Sequence, residues 1–314
     1  GLNALVLLGA VVSHASNSTA LHMLTDVAPT MKLFWRMSAS YICLLPFAGR
    51  YLYHEGMPKL SVGGWAAFLA ATFFYTGMMI LFYSALEYTT IGNAVIYANS
   101  QAILLIVGKA CIGERIHWLE GLGVIVSLSG AIMCSLDSSQ VSTDQEQEKN
   151  AVLGDVLASL SAIFGVGYLT VAKVVRTKMS VTFFITCVMF VGSLMTLAYV
   201  AVFEELTFDM NIYHGVFGGF DLSAPYYRVA VLGYLAIVVN GAGTMGYIRA
   251  MQTFDNTVIA VSTLLEPLIA SIIAWFFHAG LLPGIEGWIG NLLVVFGTLG
   301  VVYPSMGKEE KGMH

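Results

Sequence analysis

The sequence predicts an all-α integral membrane protein with ten transmembrane helices, arranged as two inverted five-helix repeats. Three observations carry this prediction. Of 314 residues, 57% are hydrophobic and only 11% charged, where a soluble chain carries roughly 25% charge. The apolar residues run in stretches of about 20, the length a helix needs to cross a bilayer. The two halves of the chain also close on the same order of residues. This composition excludes a water-soluble globular enzyme and a disordered chain. The net charge of −5 leaves no basic surface for a phosphate backbone, which excludes a nucleic-acid binder. Membrane barrels are set aside because their strands alternate polar and apolar residues, and these stretches do not.

Charged residues punctuate the spans. The first occupies residues 1–25, which end at Asp26, and the second runs from Pro29 to Tyr53 with Lys32 and Arg36 inside it. The third and fourth are the charge-free stretches 60–86 and 88–108, and the fifth runs from Trp118 to Leu136. Residues 137–150, DSSQVSTDQEQEKN, form the one clear linker. The sixth span covers Val152 to Val175, with Asp155 at its head. The last four cover 179–203, 228–249, 256–279 and 285–305, ahead of a solvated tail, KEEKGMH. Glu204 to Tyr227, containing FGGF and Pro225, reads as a surface loop. The expected domains are a first repeat at 1–136, the linker, a second repeat at 151–305 and a tail at 306–314.

Basic residues orient the spans. A cytoplasmic N-terminus puts Arg50, Lys59, Lys109, Arg115, Lys173, Arg176, Lys178, Arg249, Lys308 and Lys311 inside. Only Lys32, Arg36, Lys149 and Arg228 fall on the far side. Both termini are therefore expected in the cytoplasm, with the plasma membrane as the expected location. Trp65, Trp118 and Trp288 stand near span starts, as interface anchors do. Cys43, Cys111, Cys134 and Cys187 lack metal-binding spacing and read as small buried hydrophobes. The glycosylation sequon at Asn17 lies inside the first span, where it cannot be modified.

Residues 82–135 align with 247–304. Ala85-Leu86 matches Ala250-Met251, Gln101-Ala102 matches Glu266-Pro267, and Gly123 and Gly130 match Gly290 and Gly297 after a two-residue gap. A repeat with an odd number of helices enters the membrane from the opposite side the second time, so the halves are expected to be inverted. Inverted repeats are the usual architecture of secondary transporters, whose site lies near the midplane where the repeats meet.

The pattern Ala85-Leu86-x-Tyr88-Thr89, then Glu114-Arg115-Ile116, then Gly123-x6-Gly130 resembles the EamA-type transporters of the drug/metabolite transporter superfamily. Arg36 in FWRMSASYICLLPF resembles the arginine of that family's second helix, and Gly154-Asp155 before LASLSAIFGVGY resembles the start of its second repeat. The chain departs from the pattern at Ala102, where the family often has proline, and Glu114 has no acidic counterpart near His278-Ala279. The resemblance implies a ten-helix transporter that moves small metabolites by alternating access, and names no substrate.

Polar side chains at membrane depth are costly unless they are paired or face water, so they are the candidate substrate-binding residues. Glu266 stands mid-span beside Pro267. It reads as a carboxylate for an amine or a proton, or as a structural ion pair. Asn93, Tyr97 and Gln101 recur every four residues and share a helical face, with Asn99 on the same span. That face reads as a cavity lining or as interhelical hydrogen bonding. Arg36 lies deep in span two and suits an anionic group or a carboxylate partner, whereas Lys32 is placed to snorkel. Span one holds His14, Ser16, Asn17, Ser18, Thr19 and His22. Asn17 is a candidate lining residue, and the histidines read as proton relays or as satisfied neighbours. Asn240 opens NGAGTMG, and Tyr75, Tyr83, Tyr168 and Tyr247 offer hydroxyls on aromatic bodies. Gly287, Gly290, Gly297 and Gly300 mark a packing stripe, between the halves or in a dimer.

No phosphate loop, metalloprotease helix, nucleophile elbow or Cys/His metal spacing occurs, so no enzyme activity, cofactor or metal is expected. The expected partners are a small-molecule substrate and the lipid bilayer, with proton coupling open and the state a monomer or homodimer. The leading expectation is a secondary carrier of an amino acid, amine or similar zwitterion. A second is an exchanger of organic anions, sugar phosphates or nucleotide sugars. A third, of a different class, is a non-transporting receptor or scaffold.

Overall fold

The computed structural model describes residues 2–22, 24, 27–86, 88, 94, 97–98, 100–114, 116–136, 151–175, 178–211, 213, 215–220, 227–276 and 284–311. Among them the chain is all-helical, with no strand. Hydrocarbon offers no hydrogen bonds, so an apolar chain of this kind satisfies its backbone within helices. The helices are α1 Leu2–His22, α2 Pro29–Glu55, α3 Val62–Ala85, α4 Gln101–Ile112, α5 Trp118–Leu136, α6 Ala151–Val175 and α7 Val181–Phe203. Then follow α8 Tyr227–Tyr234, α9 Met245–Ala250, α10 Asn256–Ser262, α11 Glu266–Phe276 and α12 Ile285–Lys311. Val62–Ala85, Val152–Val175, Val181–Phe203 and Arg228–Ala250 are each long and apolar enough to cross a membrane. Apolar side chains such as Phe47, Leu69, Phe190, Leu194, Phe296 and Leu299 point outward. In water they would be a liability; against lipid tails they are ordinary.

Three segments depart from a plain α-helix. α4 begins at Gln101 after a turn in which the Ser100 N–H bonds the Tyr97 carbonyl at 3.1 Å. A 3₁₀ turn, Thr263–Leu265, stands between α10 and α11. Pro267 has no N–H to give the Thr263 carbonyl, and the Glu266 N–H bonds that carbonyl instead, tightening the turn. Between α8 and α9 lie ten residues of π-helix, Leu235–Thr244.

The helices gather into two compact units, each drawing on both sequence halves. The first comprises Gly1–Ser84 and Gly167–Gln252. Its core runs from Leu24, Val27 and Met31 to Trp35, Val200, Leu232, Leu235 and Val239. Gly192 lets α7 approach α2 and α3, because a Cβ there would sit 2.8 Å from Thr76 Oγ1 and 3.2 Å from Met37 Sδ. The segment after α7 folds over this core. Trp35 Nε1 donates to the Val216 carbonyl at 3.1 Å, and the Thr30 hydroxyl donates to Glu204 at 2.6 Å.

The second unit comprises Ala85–Val166 and Thr253–His314. There α5 packs on α12 with backbones nearly touching: a Cβ on Gly123 would lie 2.6 Å from the Gly297 carbonyl, and one on Gly130 would strike the Gly290 carbonyl. The glycine stripe is thus a seam between the sequence halves. Beside it the Lys109 ammonium lies 2.6 Å from both Glu120 and Asp255, tying α4, α5 and the residue before α10. Of the cysteines, Cys43 and Cys187 are half-buried, but Cys111 is exposed rather than buried as its type suggests.

Candidate functional site

The first unit holds a buried polar cluster centred on Arg36. Two turns into α2, Arg36 is 1% exposed. A guanidinium stays protonated in any protein environment, so this is a permanent buried charge, and removing such a charge from water costs several kcal/mol. Its neighbours compensate only in part. Nη1 donates to Asn17 Oδ1 of α1 at 3.3 Å and to the Tyr83 hydroxyl of α3 at 3.2 Å. Nε and Nη2 have no hydrogen-bond partner. Among the described residues no carboxylate pairs with Arg36. Nε and Nη2 form one edge of the guanidinium, the edge whose parallel N–H groups grip a carboxylate side-on.

Tyr75 stands beside this charge, its hydroxyl close enough to Arg36 to interact with it as a charge partner and a long hydrogen-bond acceptor, with no hydrogen bond of ordinary length. Its ring packs against that of Tyr168, centroids 5.1 Å apart. Gly167, one residue earlier, makes room for Phe74, which a Cβ there would meet at 2.7 Å.

Behind Arg36 runs a chain of hydrogen bonds. Asn240 is fully buried on the π-helix, and its Nδ2 donates to Ser40 Oγ at 2.6 Å. Ser40 donates to the Arg36 carbonyl one turn back, at 2.5 Å. Thr244 donates to Asn240 Oδ1 at 3.2 Å, and His14 Nε2 lies 3.2 Å from Thr244 Oγ1. Both acceptors of the Thr244 hydrogen, Asn240 Oδ1 and the Val239 carbonyl, lie on the π-helix. The His14 ring packs edge-on against Tyr247 at 5.2 Å. Gly243 permits the approach, since a Cβ there would come within 3.1 Å of Ser13 and 3.2 Å of His14.

Of the residues singled out in the sequence, Asn17, Arg36, Tyr75, Tyr168 and Asn240 thus share one unit and one polar cluster. Tyr97, Gln101 and Glu266 lie in the other unit. Tyr97 is 39% exposed, while Gln101 and Glu266 are half-buried, and each of these two is the first residue of its helix, α4 and α11. Asn93 and Asn99 lie outside the described residues. Sequence reasoning passed over Ser40 and Thr244. The signal was present: each stands four residues after a singled-out residue, Arg36 and Asn240, and so shares its face. Among the described residues no group of His, Cys, Asp and Glu could hold a metal ion.

Comparison with known proteins agrees with the architecture. The model of the EamA-like transporter family matches residues 2–136 and again 152–303, the two halves of the chain. No curated protein sequence matches it. Among solved folds, a crystal structure of a protein superposes with a TM-score of 0.75, over 98% of each chain, at 14% identity. At that identity the likeness speaks to the fold alone.

Proposed function

The chain belongs to the EamA-like transporter family, and on that premise we propose that it is a secondary carrier of small carboxylate-bearing metabolites, amino acids or similar zwitterions. It is an integral, multi-pass membrane protein, and its substrate is a small molecule. The proposed mechanism is alternating access between two inverted five-helix repeats, at 1–136 and 151–305, with ten spans and both termini in the cytoplasm of a plasma membrane. The glycine seam supports the inverted reading. Exchanging the matched pairs, Gly123 with Gly290 and Gly130 with Gly297, turns each of the two close contacts into the other, as a two-fold axis does.

One observation carries the substrate class: the Nε–Nη2 edge of a buried, permanently charged Arg36, left without an ordinary hydrogen bond and bordered by the Tyr75 hydroxyl. A carboxylate seated there forms two charge-assisted hydrogen bonds and neutralises the charge. Asn17 and Tyr83 hold the guanidinium from its other end, and Tyr75 and Tyr168 offer aromatic surface to the rest of the substrate. Glu266, Tyr97, Gln101, Asn93 and Asn99 are proposed substrate contacts on the strength of the sequence alone.

The test is a thermal-shift screen of the purified carrier with amino acids, monocarboxylates, sugar phosphates and amines, followed by flux in proteoliposomes. A ligand at about 100 times its Kd stabilises by about 2.7 kcal/mol. An amino acid or carboxylate is expected to raise the melting temperature and to be transported. Arg36→Met is expected to abolish that shift while leaving the empty carrier as stable or more so, because it removes an unpaired buried charge. A shift given only by amines without an anionic group, or one unchanged in Arg36→Met, sinks the reading. A shift confined to anions without an amine favours the organic-anion exchanger.

A further inference from the structure

We propose that Tyr75 is a specificity-determining residue of the carrier, its hydroxyl giving a third hydrogen bond to the carboxylate that Arg36 holds. This rests on the carboxylate reading of Arg36 and adds the residue that selects the ionised group.

Donors and acceptors around the guanidinium do not balance. Nη1 gives one hydrogen to Asn17 and one to Tyr83, so both of its hydrogens are spent. Nε, Nη2 and the Tyr75 hydroxyl are each buried with no hydrogen bond of ordinary length. Tyr75 is 3% exposed, which takes its hydroxyl out of bulk water. The phenol oxygen faces Arg36 as a long acceptor, so its own hydrogen is left to give. Three kinds of donor therefore converge beside a permanent positive charge. The group that completes such a set carries a negative charge and several lone pairs. An ionised carboxylate has about four lone-pair sites on two oxygens, enough for the guanidinium edge and one hydroxyl together.

A hydroxyl donates as readily as it accepts. With a carboxylate on the Nε–Nη2 edge, Tyr75 turns its hydrogen onto the nearer carboxylate oxygen. No covalent bond breaks and no proton changes owner. The carbonyl of a primary amide offers one oxygen and no charge. It serves only part of the set and leaves buried donors unpaired, and a site built for hydrogen bonding rejects such a ligand strongly.

The fold separates the roles of two tyrosines on α3. Tyr83 accepts from Nη1 at 3.2 Å and so positions the guanidinium. Tyr75, about two turns earlier, stands close enough to Tyr83 and Arg36 to interact with both. Its ring is braced by Tyr168 of α6, centroids 5.1 Å apart, which fixes where the hydroxyl stands. The next residue supplies a control. The Thr76 hydroxyl is also buried without a partner, but it lies against Gly192 of α7.

The test is calorimetric binding to the purified carrier. The probes are the twenty common L-amino acids, lactate, pyruvate and benzoate, each beside its primary amide. For a probe with an Arg36-dependent thermal shift, Tyr75→Phe is expected to weaken carboxylate binding about tenfold or more. Tyr75→Met carries the same comparison if the first variant does not fold. The preference for carboxylate over amide should shrink with it, whereas damage to packing weakens both ligands alike. The antisymmetric stretch of an isotope-labelled bound carboxylate should also rise in frequency, as one hydrogen bond fewer requires. Thr76→Val should leave affinity at the wild-type value. Wild-type affinity in Tyr75→Phe overturns this inference and leaves the carboxylate reading standing. So does equal weakening in Tyr75→Phe and Thr76→Val with the stretch unmoved, which reduces the hydroxyl to packing. No Arg36-dependent shift from any probe overturns both.

Discussion

The Asn240 side-chain amide donates to the Ser40 hydroxyl at 2.6 Å, within a helix whose every turn there is a residue too wide. The π segment sets Asn240 so that one end of its amide reaches α2 and the other accepts from Thr244. An insertion of this kind leaves backbone groups less well paired than an α-turn, and such segments gather at functional sites.

Asn240→Leu keeps the size and removes both hydrogen bonds, leaving Ser40 and Thr244 short of a partner in a buried place. The expected cost is about 1–3 kcal/mol of stability, read as a lower melting temperature, together with weaker carboxylate binding because the Arg36 turn loses its brace. Ser40→Ala breaks a single link and should cost less. Equal stability of Asn240→Leu and wild type would show that the chain holds nothing in place.

The glycine seam makes a sharper prediction. A Cβ on Gly297 would lie 2.5 Å from the Gly123 carbonyl and from the Ser127 nitrogen, both of them backbone. Gly297→Ala must push α12 away from α5, at a cost of about 1–3 kcal/mol. Gly121→Ala, in the same seam helix with nothing within 4 Å of its new methyl, should instead gain up to about 1 kcal/mol from helix propensity. Thermal unfolding of the two variants side by side decides it, and similar effects would rule out close packing as the reason for the stripe.

Lys109 sits between two carboxylates, and its loss leaves Glu120 and Asp255 facing each other across the space it filled. Lys109→Met is expected to lose about 1–3 kcal/mol, below the full cost of breaking a buried pair because Asp255 is partly exposed. Adding Glu120→Gln to that variant should recover part of the loss, since one of the two like charges is gone. A double variant less stable than Lys109→Met would refute the charge explanation.

Much of this architecture was legible in the residues. Charge placement marked the ends of α5 and α6 almost to the residue. Pro267 announced the break before α11, because a missing N–H leaves its carbonyl partner no choice. Arg36 stood out as a charge too deep to reach the surface. The π segment was not legible. NGAGTMG signals tolerance of an unusual turn, but an α-turn and a π-turn bury nearly the same apolar residues, so periodicity does not separate them. The grouping of helices into units was hidden for a different reason. Repeat alignment reports which residues are alike, and the seam glycines are alike in pairs that do not touch: Gly123 matches Gly290 but packs on Gly297.

The crossed glycine contacts also constrain how the sequence can drift. Each half of the chain supplies two of the four glycines, and each glycine is the ceiling of another's space in the opposite half. A larger side chain arriving in one half is not accommodated by a smaller one opposite, because glycine has nothing left to give up. Duplicated segments usually diverge by trading bulk across their shared surface. Here that trade is closed, and the two copies are held to the same residue at the places where they cross.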